Sequence, residues 1–390
     1  MRKRKIAVFT STRADYSLLY WLMKELQGCP RIDFQMIVSG THLISDFGST
    51  AHEIEGDGFS IAAKVPMRFS GGSEVSTAKA FGEGASRLAD TLADLKPDIL
   101  VVLGDRYELL ACCGAAVGMR IPIAHIHGGE LTLGVIDEQV RHAVTKMSHL
   151  HFTTSECHRR RVIQMGEGPS RVFNVGAPGV EHLLRARSRS RRDVEKKLKF
   201  KFKKPTILLT FHPVTLEKLS GINHLKALLG AIDDLGVRSI ITYANSDAGG
   251  RPINNILTRY ASKNMPRTLL VPSLGRDMYI NAMRYVDAVV GNSSSGVIEA
   301  PSLKVPAVNV GNRQQGRLRA SSVIDSKVSR RALSSAIKKA LSDRFRATQC
   351  TGKNPYGSNQ FSKETLKILC DYPIERISHG KDFYDIRYEL

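Results

Sequence analysis

The stretch with the densest chemistry is GNSSSGVIEA, residues 291–300. Three consecutive serines, Ser293, Ser294 and Ser295, stand between an apolar run and the expected first turn of a helix. Backbone N–H groups at a helix start, hydroxyl donors and the positive dipole end together suit an anion, in particular a diphosphate. Glu299, one turn beyond Ser295, is placed to accept hydrogen bonds from both hydroxyls of a ribose. Arg313, in GNRQQGR, brings a planar fork of donors matched to phosphate oxygens. A loop that merely caps a helix would explain the serines alone. The carboxylate and the arginines around them favour a nucleoside-diphosphate site.

A second set is acidic. Asp105 follows a glycine in LGDRYE, with Arg106 beside it, and a charge at the end of a buried strand needs a partner or a crevice because unpaired burial is costly. Glu130 follows IHGG, where paired glycines permit a tight turn. Asp137 and Glu138 open DEQVRH at a probable helix start, where acids also complement the dipole. Carboxylates after neighbouring strands point to acid/base work. Further polar residues end other strands: Arg13 and Ser17 in STRADYS, His212 in FHP, and Asn245 and Asp247 in YANSDAGG.

The elements that must position these groups are short apolar runs separated by helix-length segments. KIAVFT, DFQMIVSG, PDILVVLGD, IPIAHIHGG, HLHFTTS and RVFNVG occur in the first half. PTILLTFHP, RSIITYANSD, RTLLVPS, DAVVGNSSS and PAVNVG occur in the second. Near-continuous apolar strands alternating with helices read as parallel sheets covered on both faces. The expected class is therefore α/β, with two doubly wound, Rossmann-like domains facing a cleft. The expected division is an N-terminal domain over 1–180, a basic linker over 181–204, a nucleotide-binding domain over 205–365 and a tail over 366–390. In such sheets ligands sit beyond the carboxyl ends of the strands, which is where the polar residues fall.

Composition narrows the class. The 390 residues carry a formal charge of +20, and 42% of them are hydrophobic. The run 185–204 concentrates that charge, with 11 Lys or Arg against two acids. It reads as a solvated linker, and no nucleic-acid partner is expected. No apolar stretch reaches the roughly 20 residues that span a bilayer, so no membrane association is expected. The N-terminus reads as a first strand rather than a signal peptide, and the dispersed cysteines as reduced thiols, which favours the cytoplasm. Neither GxxxxGK[ST] nor GxGxxG occurs, which disfavours P-loop and dinucleotide enzymes. No cofactor and no metal is expected, since no His or Cys spacing suggests a ligand set.

TSTRADYS, VVLGDRYE, HIHGGE, DEQVRHAVTKMSHLH, FHPVT, GNSSSGVIEAPSLKVP and GNRQQGR, in that order, resemble the hydrolysing UDP-N-acetylglucosamine 2-epimerases of sialic acid biosynthesis. The resemblance implies the two-domain fold shared with GT-B glycosyltransferases, a UDP-sugar substrate, and N-acetylmannosamine plus UDP as products. It further implies a homo-oligomer, dimer or tetramer. Carried over by motif, Arg13 and Ser17 contact the nucleotide, Ser293 and Ser294 the diphosphate, Glu299 the ribose and Arg313 the phosphates. Asp105, Glu130, Asp137 and Glu138 fall on acidic catalytic positions and His212 on an essential histidine, while Asn245 and Asp247 line the same loop region. Related enzymes acting on a UDP- or GDP-linked 2,4-diacetamido-6-deoxy sugar for legionaminic acid are the alternative. A GT-B glycosyltransferase is a further rival, and a nucleic-acid-binding protein a distant one.

Overall fold

The computed structural model describes residues 2–44, 50–67, 74–132, 136–213, 220–244, 250–357, 360–374 and 380–386. The chain divides into two compact units. Unit 1 comprises Met1–Glu130, Asp137–His182 and Ser358–Leu390; unit 2 comprises Leu131–Ile136 and Leu183–Gly357.

The apolar runs of unit 1 form β1 (Arg4–Thr10), β2 (Ile32–Ser39), β3 (Ala63–Val65), β4 (Ile99–Leu103), β5 (Ile123–Ile126), β6 (Leu150–Thr153) and β7 (Val172–Asn174). They pair in the order β3-β2-β1-β4-β5-β6-β7, every pair parallel. Side chains alternate between two hydrophobic layers. Ile6, Val8, Val101 and Phe152 pack on one face with Leu19 and Leu22 of helix Arg13–Gly28. Ala7, Phe9, Leu100 and Val102 pack on the other with Leu88, Leu92 and Leu109. Burial on both faces explains why these strands read as unbroken apolar runs.

Unit 2 repeats the plan with β8 (Thr206–Thr210), β9 (Arg238–Thr242), β10 (Thr268–Val271), β11 (Ala288–Gly291), β12 (Ala307–Val310) and β13 (Val323–Ser326). Their order is β10-β9-β8-β11-β12-β13, again all parallel. Gly291 ends β11 at φ +139°, where a Cβ would collide with the Thr210 carbonyl of neighbouring β8. Only glycine allows that close approach of two backbones.

Two expected boundaries differ in the structure. The basic run is no linker: Ser190 caps helix Arg191–Leu198 through its side chain, and Val194, Phe200 and Phe202 are buried in the core of unit 2. Its charges are the solvent face of an amphipathic segment, with Arg191 and Lys201 paired to Glu195. The expected tail is no tail either. Helix Phe361–Asp371 straddles the boundary set at 365 and packs Phe361, Leu369 and Cys370 into the core of unit 1. Glu181, 1% exposed, fastens its start by accepting from the Ser362 N–H at 2.8 Å and the Ser362 hydroxyl at 2.6 Å. Arg4 receives its end, donating to Tyr372 O at 2.9 Å.

Glu181→Ala leaves the Ser362 N–H without its acceptor, at a cost of about 1–3 kcal/mol. We expect a lower thermal midpoint and faster proteolysis within 361–371; an unchanged midpoint would contradict this anchoring.

Buried histidines set a pH dependence. His125 and His151 are in-register neighbours on β5 and β6, both 0% exposed. Burial pushes His125 down to about 3, and burial pushes His149 down to about 4. Burial also lowers His151, against the pull of Glu167. These rings stay neutral in the fold, whereas the unfolded chain protonates them near pH 6.5. The unfolded state therefore binds more protons as pH falls, so stability drops from pH 6.5 downward, at up to ~1.4 kcal/mol per pH unit per histidine. Urea midpoints at pH 7, 6 and 5 should fall in that order, and less steeply in His125→Gln.

Candidate active site

Each sheet has one place where the chain reverses its direction of growth: between β1 and β4 in unit 1, and between β8 and β11 in unit 2. At such a switch the connections leave in opposite directions and open a crevice above the carboxyl ends of the strands. The residues following those four strands are Ser11–Arg13, Gly104–Arg106, Phe211–His212 and Asn292–Ser293. Arg13, Asp105, Arg106, His212 and Ser293 fall there, while Glu130 follows β5 and Arg313 follows β12.

In unit 1 the turn after β1 is built around Asp15. Its carboxylate accepts from Thr10 Oγ1, Ser11 N, Thr12 N and Tyr16 N at 2.7–2.9 Å. Thr12 completes a reciprocal capping box for helix Arg13–Gly28. Arg13 is thereby presented at the first helical position, with Nε 3.7 Å from Glu53. Ser17 donates its hydroxyl back to Arg13 O at 2.7 Å, so its hydrogen is used within the helix. His42 lies beneath, bonded to Thr10 Oγ1 at 3.0 Å, and burial lowers its pKa while Asp15 opposes this.

The acidic set is tied together by Arg141, 1% exposed. Its guanidinium forms a close ion pair with Asp105 and donates to His127 O at 2.7 Å. Asp105 itself retains 20% side-chain exposure. The His127 ring lies 3.3 Å from Glu130 Oε1, and Thr154 Oγ1 donates to the same oxygen at 2.9 Å. His158 Nδ1 is 2.7 Å from Thr154 Oγ1. Asp105 and Glu130 thus share one network. His127 and Gly129 hold positive φ, +70° and +78°, and a Cβ on Gly129 would strike His158 O, which explains the glycine. Asp137 and Glu138, both half-buried, head helix Asp137–Met147, which carries Arg141. Glu138 accepts from His142 at 3.1 Å. Arg106 is neutralised by Glu108, which is fully buried, at 3.2 Å. Burial raises the Glu108 pKa, with Arg106 opposing.

In unit 2, Asn292 organises the turn after β11. Its Oδ1 accepts from His212 N at 2.7 Å and its Nδ2 donates to His212 O at 2.8 Å, so one amide clamps the His212 backbone. Arg313 and Gln314 both donate to Asn292 O, at 3.2 and 2.8 Å. His212, Ser293 and Arg313 are therefore brought to one place. Ser295 turns inward, 2.7 Å from the hydroxyl of Tyr279, whose pKa burial raises. One expectation is corrected here. The helix that Ser293, Ser294 and Ser295 were to open is only Ser295–Ile298, followed by a 3-10 turn Ala300–Leu303 with Pro301 in its first turn. Four residues sum few peptide dipoles, so any anion held here depends on local N–H groups, hydroxyls and Arg313. Glu299 ends that short helix, half-buried. Asn245 and Asp247 lie outside the described residues.

Asp15, Asn292, His127, Thr154 and Tyr279 escaped the sequence reading. The pattern Thr12-x-x-Asp15 is a capping-box signal that could have exposed the first, and Asn292 sits inside the quoted GNSSS. Nothing local marks Thr154 or Tyr279, which meet their partners only through the fold.

The UDP-N-acetylglucosamine 2-epimerase family model matches residues 24–370. The chain is 39% identical over 99% of its length, and all of its counterpart's, to the GDP/UDP-N,N'-diacetylbacillosamine 2-epimerase (hydrolyzing) of Campylobacter jejuni. It is 35% identical to the UDP-N,N'-diacetylbacillosamine 2-epimerase (hydrolyzing) of Legionella pneumophila, covering 95% and 97% of the two chains. Polysialic acid biosynthesis protein P7 of Escherichia coli is 34% identical over 98% of each chain. Among solved structures, UDP-GlcNAc 2-epimerase from Neisseria meningitidis bound to UDP-GlcNAc superposes with a TM-score of 0.78 at 18% identity, covering 94% and 99%. That likeness bears on fold, and it agrees with the GT-B-like pair of parallel-sheet units. No helix among the described residues is long and apolar enough to cross a membrane. With a family model spanning most of its length and relatives above 30% identity end to end, the chain belongs to the UDP-N-acetylglucosamine 2-epimerase family, alongside its hydrolysing members.

Proposed function

We propose that the chain hydrolyses a UDP- or GDP-linked 2,4-diacetamido-2,4,6-trideoxyhexose with inversion at C2, releasing the nucleoside diphosphate and the free manno-configured sugar. The observation that carries this reading is the end-to-end similarity to two relatives, from Campylobacter jejuni and Legionella pneumophila, both named for diacetylbacillosamine. It replaces the N-acetylglucosamine substrate expected from the motifs, which keeps the support of the polysialic acid relative as a second reading.

The C2 proton of the sugar is not acidic, so direct inversion is unfavourable. Breaking C1–O lets the nucleoside diphosphate leave with the electron pair, and the positive character at C1 makes loss of the C2 proton feasible. A base takes that proton and the C1=C2 bond of a 2-acetamidoglycal forms. Water then adds, its oxygen at C1 and a proton at C2 on the opposite face. Ser293, Ser294, Arg313 and Arg13 are assigned to the departing diphosphate, with His212 beside them. Asp105 and Glu130 are assigned to the proton transfers. Their surroundings differ in a way that suits two roles: Asp105 is partly exposed and paired with a cation, whereas Glu130 is fully buried beside a histidine and a threonine. Asp137 and Glu138 are assigned to the same acidic set, and Glu299 to the ribose.

Products from UDP- and GDP-linked diacetylbacillosamine and from UDP-N-acetylglucosamine, each supplied alone in deuterated water, are read by NMR. We expect release of free sugar from a diacetamido substrate, with deuterium at C2; product without deuterium rules out elimination and hydration. Faster release from UDP-N-acetylglucosamine would transfer the assignment to the second reading.

Asp105→Asn is expected to lower kcat by about 10²–10⁴-fold while UDP affinity stays near wild type. Arg313→Ala is expected to weaken UDP binding by about tenfold, in line with the loss of a charge-assisted contact. Calorimetric titration with UDP separates the two, and equal affinities in both variants would remove the phosphate assignment.

A further inference from the structure

The residues expected as a tail end against the helix that carries the acidic set. Lys381 Nζ donates to the carbonyls of Lys146 and Ser148, each at 2.6 Å, with Thr145 O at 3.5 Å. It also lies 2.8 Å from Glu167 Oε2. Those carbonyls close the C-terminal end of helix Asp137–Met147, where acceptors lack intrahelical donors and the dipole favours a cation. Glu167, 1% exposed, is held from two further sides, by Lys146 at 2.6 Å and His151 at 3.0 Å. Burial opposes its ionisation, but His151, Lys146 and Lys381 together hold the carboxyl down at about 2.

Two neighbours of Lys381 complete the attachment. The Phe383 ring occupies the space that a Cβ on Gly166 would need, and Lys146 Nζ lies 4.9 Å from its centroid. Tyr384 N–H donates to Gly166 O at 2.9 Å. The 380–386 segment is therefore attached to unit 1 by a half-buried ammonium, the edge of an exposed ring and a backbone bond.

The opposite end of the same helix begins with Asp137 and Glu138 and carries Arg141 one turn in, the partner of Asp105. Eleven residues make a stiff rod of about 16 Å, so fixing its last turn fixes the rotation and axial register of its first. Thr145 and His125 link the same region to the end of β4. Thr145 Oγ1 lies 3.2 Å from His125 Nδ1, and His125 Nε2 is 2.8 Å from Gly104 O, the residue before Asp105.

We infer that the 380–386 segment, through Lys381 and Phe383, is a positioning clamp that sets the register of helix Asp137–Met147 and thereby the placement of Arg141 and Asp105. Lys381 pairs with Glu167, not with Asp105, Glu130, Asp137 or Glu138, and acts through the helix. The inference rests on the proposed acid/base role of Asp105, and its test includes a readout that needs no substrate.

Lys381→Met, Lys381→Arg and Phe383→Ala are compared with wild type by steady-state kinetics, thermal unfolding and amide hydrogen exchange. Lys381→Met should lower kcat about tenfold or more with KM within about twofold, since small misplacements of reacting groups act on turnover. Exchange at 137–142 should quicken severalfold, and Lys381→Arg should restore most of both. Phe383→Ala should move both readouts the same way by less, and it carries the test if Lys381→Met does not fold. Unchanged exchange at 137–142, or a kcat loss that merely follows the folded fraction, overturns the clamp. Wild-type protein inactive on every sugar nucleotide tested would instead overturn the substrate reading, while hydrogen exchange still decides the clamp.

Discussion

The buried guanidinium of Arg141 is the interaction on which the acidic set of unit 1 depends. An unpaired cation with 1% exposure would cost several kcal/mol. The fold accepts it because two acceptors, the Asp105 carboxylate and the His127 carbonyl, are fixed at its two terminal nitrogens. The dependence runs both ways. The ion pair holds the turn after β4, and the carbonyl contact holds the positive-φ turn that delivers Glu130. A single side chain from a third segment thus sets the mutual placement of two carboxylates separated by 25 positions in the chain.

Unit 2 uses a different device for the same purpose. The Asn292 amide closes two hydrogen bonds with the His212 backbone, and its carbonyl collects Arg313 and Gln314. Here Arg313 donates to a backbone carbonyl, whereas Arg141 in unit 1 donates both to a carbonyl and to a carboxylate.

Sugar nucleotide choice is a separate matter from catalysis. On the proposed mechanism, the acidic network and the serine turn would serve any 2-acetamido sugar that can lose its C2 proton. What distinguishes an N-acetylglucosamine from its 4-acetamido-6-deoxy counterpart is recognition at C4 and C6, remote from the reacting carbons. Similarity along the whole chain therefore weighs more on substrate than any motif at the reacting centre does.

Strand identity was largely legible in the sequence because a parallel strand buried on both faces must be apolar throughout. Every one of the eleven quoted runs became a strand. The short edge strands Ala63–Val65 and Val323–Ser326 were not, since three or four residues such as AKV and VIDS carry no such run. Polar residues at strand ends were legible for the same reason, as charge abruptly following an apolar run must face a crevice or a partner. Which of those it faces was not legible. Ser17 and Ser295 proved to be bonded within the protein, Arg106 was neutralised by Glu108, and the helix expected after the serines stopped after four residues. The basic run and the C-terminal residues looked like linker and tail because each reads as charged and local. Their apolar faces and the partners of Glu181, Lys381 and Arg141 come from segments distant in the chain. Composition and periodicity determined the layers, because burial and hydrogen bonding along a strand are local properties. Only the tertiary structure decided which charge meets which partner, because those contacts depend on strand order, and strand order is written in no single stretch of residues.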